Sequence, residues 1–263
     1  ETETVILMVG EQEQYNVAIQ LVKDVPSLRK IVAFDASVKF SDGVSTEYFS
    51  DFLAIGRNSN SDEQLRKLVS EANDADLCSI IYTSGTSGEP KGVMLSAANF
   101  RHCVRIHDLR INISDQDVSL CFLPLSHIFE RGWTFIVLSK GMTSYYLRNP
   151  KEVVDAVQVV KPTLMCSVPR FFEKTYEGVN SKIARSSKFK QALFKWSINM
   201  GAKRFDCICN NRPIPLTLKM AYALADKMVL SKGRAVLGGK FRFMVCGGAA
   251  LALDIIDFFE EVG

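Results

Sequence analysis

Apolar residues recur along the chain in two rhythms. Short unbroken runs at Val5–Val9, Ile31–Phe34, Leu77–Tyr82, Val118–Leu123, Thr143–Tyr146, Thr163–Val168 and Phe241–Val245 predict buried strands. Between most of them the apolar positions fall three and four apart. That spacing predicts helices over Glu11–Asp24, closed by Pro26, and over Ala97–Leu109, Ile128–Ser139 and Lys151–Val160. Phe49, Phe52 and Leu53, then Leu65, Leu68 and Val69, predict two more amphipathic helices, the second opening at Ser61-Asp62-Glu63. Strands alternating with helices of this length require crossover connections. The expected fold class is therefore α/β, with mainly parallel sheets and flanking helices. From Pro169 to Leu237 the strand rhythm stops, and a stretch rich in Lys and Arg predicts a helical insertion over 169–237.

Composition narrows this picture only a little. With 47% hydrophobic and 23% charged residues the chain can bury a sizeable core, as one large domain or two small ones. A net charge of +3 is too small to argue for a nucleic-acid partner. The seven cysteines form no Cys-x-x-Cys pair, and Cys207-x-Cys209 makes a poor metal clip, so no metal site is expected. Cys78, inside Leu77-Cys78-Ser79-Ile80-Ile81, reads as a small core hydrophobe, and a reducing, cytoplasmic compartment is expected. The longest apolar stretch, Phe243–Leu253, is too short to predict a spanning helix. The opening Glu1-Thr2-Glu3-Thr4 is acidic and lacks Met, so the natural start is expected upstream.

The most specific chemistry lies in Tyr82-Thr83-Ser84-Gly85-Thr86-Ser87-Gly88-Glu89-Pro90-Lys91-Gly92-Val93, between a predicted strand and the short run Val93-Met94-Leu95. Glycines let backbone amides approach a polyanion, the hydroxyls add donors, and Lys91 supplies a point charge suited to phosphate. A hairpin turn that is merely rich in Gly and Ser is the plain alternative; the density of hydroxyls, glycines and lysine argues for the phosphate loop. It is not a Walker A loop, because Lys91 does not directly follow Gly88 and no Ser or Thr follows the lysine.

This segment resembles the signature phosphate loop of the adenylate-forming superfamily, which includes acyl-CoA synthetases, non-ribosomal peptide adenylation domains and firefly luciferase. Leu123-Pro124-Leu125-Ser126-His127-Ile128-Phe129-Glu130-Arg131 and Val168-Pro169-Arg170-Phe171-Phe172-Glu173-Lys174-Thr175-Tyr176-Glu177 resemble segments of its long-chain fatty acyl-CoA synthetase branch. Gly247-Gly248-Ala249-Ala250-Leu251 is similar to the adenine-contacting glycine loop, with Cys246 and Ala250 where the family usually has Ser and Pro. The resemblance implies an incomplete N-terminal ATP- and acyl-binding domain over 1–263. The Thr-Glu segment, the ribose-binding Asp and the C-terminal domain with its lysine are expected beyond Gly263. It implies activation of a long-chain fatty acid by ATP, with Mg2+, and transfer to CoA as co-substrate; residues 1–263 alone are expected to make no acyl-CoA. Thr83, Ser84, Gly85, Thr86, Ser87, Gly88 and Lys91 would hold the triphosphate. His127 would stand where the carboxylate and acyl tunnel meet, and Gly247, Gly248 and Ala249 would line the adenine and acyl sites.

Several residues carry a plainer reading beside the functional one. His127 could simply cap or pack at a helix start, and the resemblance favours the functional role. His102 and His107 have no metal-ligand partners nearby in sequence and read as structural. Glu130 and Arg131 read as an ion pair or a scaffold contact, and Trp133 reads as core rather than tunnel wall. Lys182–Arg204 reads as one basic helix, with Phe189, Leu193, Phe194 and Ile198 between its charges. It suits a membrane surface, an acidic partner or a solvated helix face. Two other functions compete with the synthetase: an adenylation domain for another carboxylic acid, and a non-catalytic nucleotide-binding module. The segments at 123–131 and 168–177 argue against the first. The sequence leaves the oligomeric state open.

Overall fold

A computed structural model describes residues 2–43, 45–84 and 88–263, which fall into two compact units. The unit ending at Ala72 holds a three-stranded parallel sheet, in the order β1 (Ile6–Val9), β2 (Lys30–Ala33), β3 (Ser45–Tyr48). Helix α1 (Gln12–Leu21) supplies Tyr15 and Ala18 to a core with Val9, Leu28, Ile31, Ala33 and Val38. The Tyr15 hydroxyl leaves that core to accept from the Ser41 amide at 2.9 Å. Helices α2 (Phe49–Asn58) and α3 (Asp62–Glu71) follow, and Ser61 precedes α3 as expected. The strand β3 was not predicted, since Ser45-Thr46-Glu47-Tyr48 carries no apolar run.

The second unit, Asn73–Gly263, opens with a two-stranded antiparallel hairpin, β4 (Leu77–Ser84) and β5 (Pro90–Ser96). Helix α4 (Ala97–Asp108) starts directly after it; Ser96 and Asn99 form a capping box, with the Ser96 amide donating to Asn99 Oδ1 at 2.8 Å. A four-stranded parallel sheet then runs in the order β7 (Thr143–Tyr146), β6 (Val118–Cys121), β8 (Leu164–Ser167), β9 (Phe243–Cys246). Helix α5 (Ile128–Ser139) makes the first crossover. A 3-10 turn at Pro150–Glu152 leads into α6 (Val153–Val160), which makes the second. Lys161, in left-handed backbone, ends α6. Between β8 and β9 the chain passes through α7 (Pro169–Ala184), α8 (Lys188–Cys209), α9 (Leu216–Ala225), a π turn and α10 (Ser231–Val236). The last helix, α11 (Leu253–Val262), follows β9. Mainly parallel sheets with flanking helices are what the sequence predicted.

Two apolar clusters cover the faces of this sheet. Leu120, Phe122, Val157, Met165, Phe171 and Phe172 form one; Trp133, Ile136, Val137, Leu164 and Cys166 form the other. Three strand starts are tied together at the amino ends. The buried Asp117 accepts from Arg242 through Nε at 3.0 Å and Nη2 at 2.7 Å, from Thr163 Oγ1 at 2.8 Å and from the Ser114 amide at 2.9 Å. The carboxyl ends are thereby left as the open side of the sheet.

Three expectations need correction. Val5–Val9 and Thr143–Tyr146 form strands, but as the edges of their sheets they are largely exposed rather than buried. Leu77–Tyr82 is not a buried strand: only Ile81 is buried, and Cys78 is exposed rather than a core residue. The cause is its pairing in a two-stranded hairpin, where one partner cannot cover both faces. Lys182–Arg204 is not one helix, because α7 ends at Ala184 and α8 starts at Lys188, with Ser187 as its cap accepting from the Lys190 amide. Of the two readings for Glu130 and Arg131, the scaffold contact holds: they do not pair with each other, and each bonds elsewhere in the scaffold.

Candidate functional site

The hairpin carries the residues expected to form the phosphate loop. The register sets Thr83 opposite Lys91, Ser84 opposite Pro90 and Tyr82 opposite Gly92. Thr83, Ser84, Gly88 and Lys91 are all exposed, and Gly88 takes left-handed backbone at φ +86°. Gly85, Thr86 and Ser87 lie outside the described residues. The segment thus joins a hairpin, the geometry of the plainer alternative, while presenting a lysine and hydroxyls together at one tip.

The second group stands at the carboxyl ends of the parallel sheet. In the strand order β7-β6-β8-β9 the chain leaves β6 for β7 on one side and returns to β8 on the other, so the switch point lies between β6 and β8. Open α/β sheets bind ligands at such a crevice. The turn Leu123–His127 leaves β6 there; the His127 amide donates to Pro124 O at 2.9 Å, and His127 enters α5 as its exposed N-terminal cap residue without a capping side-chain bond. Gly247 continues beside the end of β8, donating to Ser167 O at 3.1 Å. A Cβ at Gly247 would stand 2.8 Å from Phe129 Cζ, so the bare backbone lets this loop lie against that ring.

Two cavities meet here. One, of about 440 Å³, is lined by residues including Leu123, His127, Phe129, Arg170, Gly247 and Ala249. The other, of about 500 Å³, is walled by Leu95, Phe100, Ile128, Phe129, Trp133 and Val245 among others. His127, Phe129 and Gly248 line both. Both volumes lie in the range of small-molecule sites. The structure therefore brings His127, Gly247, Gly248 and Ala249 together. Leu95 connects the same apolar cavity to β5, the strand that carries Lys91. Trp133 is core, as expected, donating to Ser119 Oγ at 2.9 Å, and it also walls the apolar cavity. Phe129 was missed; its signal was an aromatic two residues after His127.

Beside these cavities lies a buried polar cluster. Glu130 is fully buried, and its Oε2 accepts from the Leu123 amide and from Cys166 Sγ, each at 3.3 Å. Burial raises the Glu130 carboxyl above its ordinary value, and hydrogen bonds from Cys121, Cys166 and Leu123 offset that only in part. Burial, with Glu130 adjacent, pushes the Cys121 thiol up to about 12 and the Cys166 thiol higher still, so neither is a nucleophile at neutral pH. Arg131 ties the turn on its other side, donating through Nε to Leu125 O at 2.8 Å and through Nη1 to Ser79 Oγ on β4.

The hairpin thus bears hydroxyls and a lysine, and the glycine loop lies at the switch point of the parallel sheet. In comparison with known proteins, residues 2–263 match the AMP-binding enzyme family, and the chain belongs to it. Within that family it is similar to long-chain acyl-CoA synthetases. It is 30% identical over 252 residues to long chain acyl-CoA synthetase 7, peroxisomal, of Arabidopsis thaliana, covering 93% of this chain and 34% of that one. Against long chain acyl-CoA synthetase 1 of the same plant it is 33% identical, covering 89% and 35%. The chain spans about a third of the length of these relatives. In fold it resembles the A-PCP didomain of a carboxylic acid reductase from Segniliparus rugosus, solved in complex with AMP. That match has a TM-score of 0.66 at 19% identity, over 100% of this chain and 35% of the other.

Proposed function

We propose that these residues are part of the ATP- and acyl-binding domain of an AMP-forming long-chain fatty acyl-CoA synthetase, with 169–237 as a helical insertion. The observation that supports this best is the meeting of an apolar cavity with the glycine-loop cavity at His127, Phe129 and Gly248. An alkyl chain suits the first, and a carboxylate at its mouth would face a nucleotide held along the second.

In this reading the fatty-acid carboxylate attacks the α-phosphorus of ATP, forming acyl-adenylate and releasing pyrophosphate. The CoA thiol then attacks the acyl carbon, AMP leaves, and the thiol proton passes to solvent. Thr83, Ser84, Gly85, Thr86, Ser87 and Gly88 would hold the triphosphate by hydroxyl and amide donors, and Lys91 would stabilise charge on the departing pyrophosphate. His127 would orient the carboxylate, and Gly247, Gly248 and Ala249 would pass along adenine and acyl group without side-chain obstruction. Mg2+ would accompany the ATP phosphates and help stabilise charge on them.

The proposal extends to a membrane, where fatty acids partition. From Gly178 to Phe205 the chain has seven basic residues and no acidic one. Lys188, Lys195 and Lys203 recur on the exposed side of α8, beside an exposed Phe189. Such a face suits peripheral contact with anionic lipid. No helix among the described residues is long and apolar enough to cross a bilayer.

Substrate chain length tests the main reading. Burial of each CH₂ is worth roughly 0.8 kcal/mol, about fourfold, so kcat/KM of the full-length enzyme should climb steeply with acid length until the apolar cavity is full. A profile that peaks at acetate or benzoate, or that favours an amino acid, would refute it.

A further inference from the structure

We propose that Glu130 is a positioning residue: an uncharged acceptor that fixes the Leu123–His127 turn on the ends of the two central strands. Four observations converge on this. Glu130 is fully buried and is one of the few charged side chains in the interior. Its carboxyl spans the switch point, touching the backbone at Leu123 just after β6 and the thiol of Cys166 on β8. The neighbouring cation does not pair with it, because Arg131 is engaged with Leu125 O and Ser79. Among the described residues no hydrogen-bond partner reaches the second oxygen, Oε1.

The chemistry of those contacts decides the charge state. A buried carboxylate needs strong donors or a cation to offset its lost hydration. Glu130 has one amide and thiols, and a thiol is a weak donor. As a neutral acid it needs much less: Oε2 acts as a carbonyl that accepts both bonds, while Oε1 carries the proton. An ionised Glu130 would leave an unpaired charge between β6 and β8.

The position explains what the acceptor does. His127 precedes Glu130 by three residues, one helical turn, and its turn begins at Leu123. The Glu130–Leu123 bond therefore closes a loop around His127, and the Cys166 contact anchors that loop to β8. On the far side Arg131 ties it to the hairpin. With the turn released from β8, His127 would keep its backbone bond to Pro124 but lose its fixed distance from Gly247 and Gly248.

The inference rests on the proposed role of His127, so its test has a readout independent of activity. In the full-length protein, Glu130→Gln keeps a neutral acceptor of the same shape, while Glu130→Met fills the space without an acceptor. The imidazole resonances of His127, assigned with His127→Gln, should match wild type in E130Q and shift or broaden in E130M. With an active enzyme, E130Q should stay within about threefold of wild-type kcat, and E130M should lower kcat by about 10- to 100-fold at unchanged KM for ATP. A folded E130Q with a displaced His127 signal or lost activity would overturn the uncharged assignment. E130M with a wild-type His127 signal would overturn the positioning role. If E130M does not fold, E130Q decides alone: a wild-type His127 signal supports the neutral acceptor, and a displaced one overturns it. If the wild-type protein activates no acid, the synthetase reading fails while the His127 signal still judges Glu130.

Discussion

Replacing Gly247 with Ala puts the greatest pressure on the proposed junction. The new methyl would stand 2.8 Å from Phe129 Cζ, 2.9 Å from Cε2 and 3.2 Å from Cε1. Carbon atoms rest about 3.5–4.0 Å apart, so something must give by roughly 0.7 Å. The backbone is tethered, since the Gly247 amide donates to Ser167 O at 3.1 Å, and the Phe129 ring is the part free to yield. That ring walls both cavities, so either direction of retreat narrows one of them. Overpacking of this kind costs about 1–3 kcal/mol, and for a domain of this size each kcal/mol lowers Tm by roughly 2–4 °C. A misplacement approaching an ångström in a positioned site costs about 10²-fold in rate. We therefore expect G247A in the full-length enzyme to melt only a few degrees lower, yet to lose about 10- to 100-fold in kcat/KM for long-chain acids. Pyrophosphate exchange and acyl-CoA formation measure this. Phe129→Leu should relieve the clash, making the two substitutions strongly non-additive in a double-mutant cycle. G247A with a wild-type profile, or a double variant as impaired as the product of the singles, would refute the reasoning.

Other perturbations probe separate parts. Lys91→Ala should slow ATP–pyrophosphate exchange about 10²–10³-fold in a folded protein, and wild-type exchange would remove Lys91 from the reaction. Burial raises the Asp117 carboxyl, but bonds from the Ser114 amide, Arg242 and Thr163 win and hold it below the usual carboxylate range. A depressed pKa contributes stability above the unfolded value of about 3.9 and loses it as pH falls further. Thermal unfolding from pH 6 down to about pH 2 should therefore show a smaller acid-induced fall in Arg242→Met than in wild type; identical slopes would count against the network. Vesicles containing phosphatidylserine should co-sediment with the full-length protein at low salt, less at high salt, and less after charge reversal at Lys188, Lys195 and Lys203. Binding that ignores salt or those lysines would show that the basic face has another use.

Much of this protein could be read from the order of its residues. The runs at Val118 and Thr163 became β6 and β8 because a strand covered on both faces must be apolar throughout, and such runs are visible locally. Helix α5 matched its predicted bounds for a similar reason, since its apolar spacing and the preceding Pro-Leu-Ser-His turn are both local. The phosphate-loop composition, the His127 turn and the glycine loop were likewise legible as motifs.

What neighbours decide could not be read this way. The exposure of Cys78 and Leu77 follows from a hairpin with a single partner strand, and β3 forms on its pairing with β2 despite a polar sequence. The break at Arg185–Ser187 turns on a cap that competes with continuous helical spacing. Glu130 and Arg131, adjacent and opposite in charge, look like an ion pair in one dimension. In the fold they diverge, one into the interior between β6 and β8 and the other toward the hairpin. Only the strand order sets Leu123, Cys166 and Gly247 at a single crevice. Sequence specified which groups were available; the crossovers and pairings, which join residues more than a hundred positions apart, decided which of them meet.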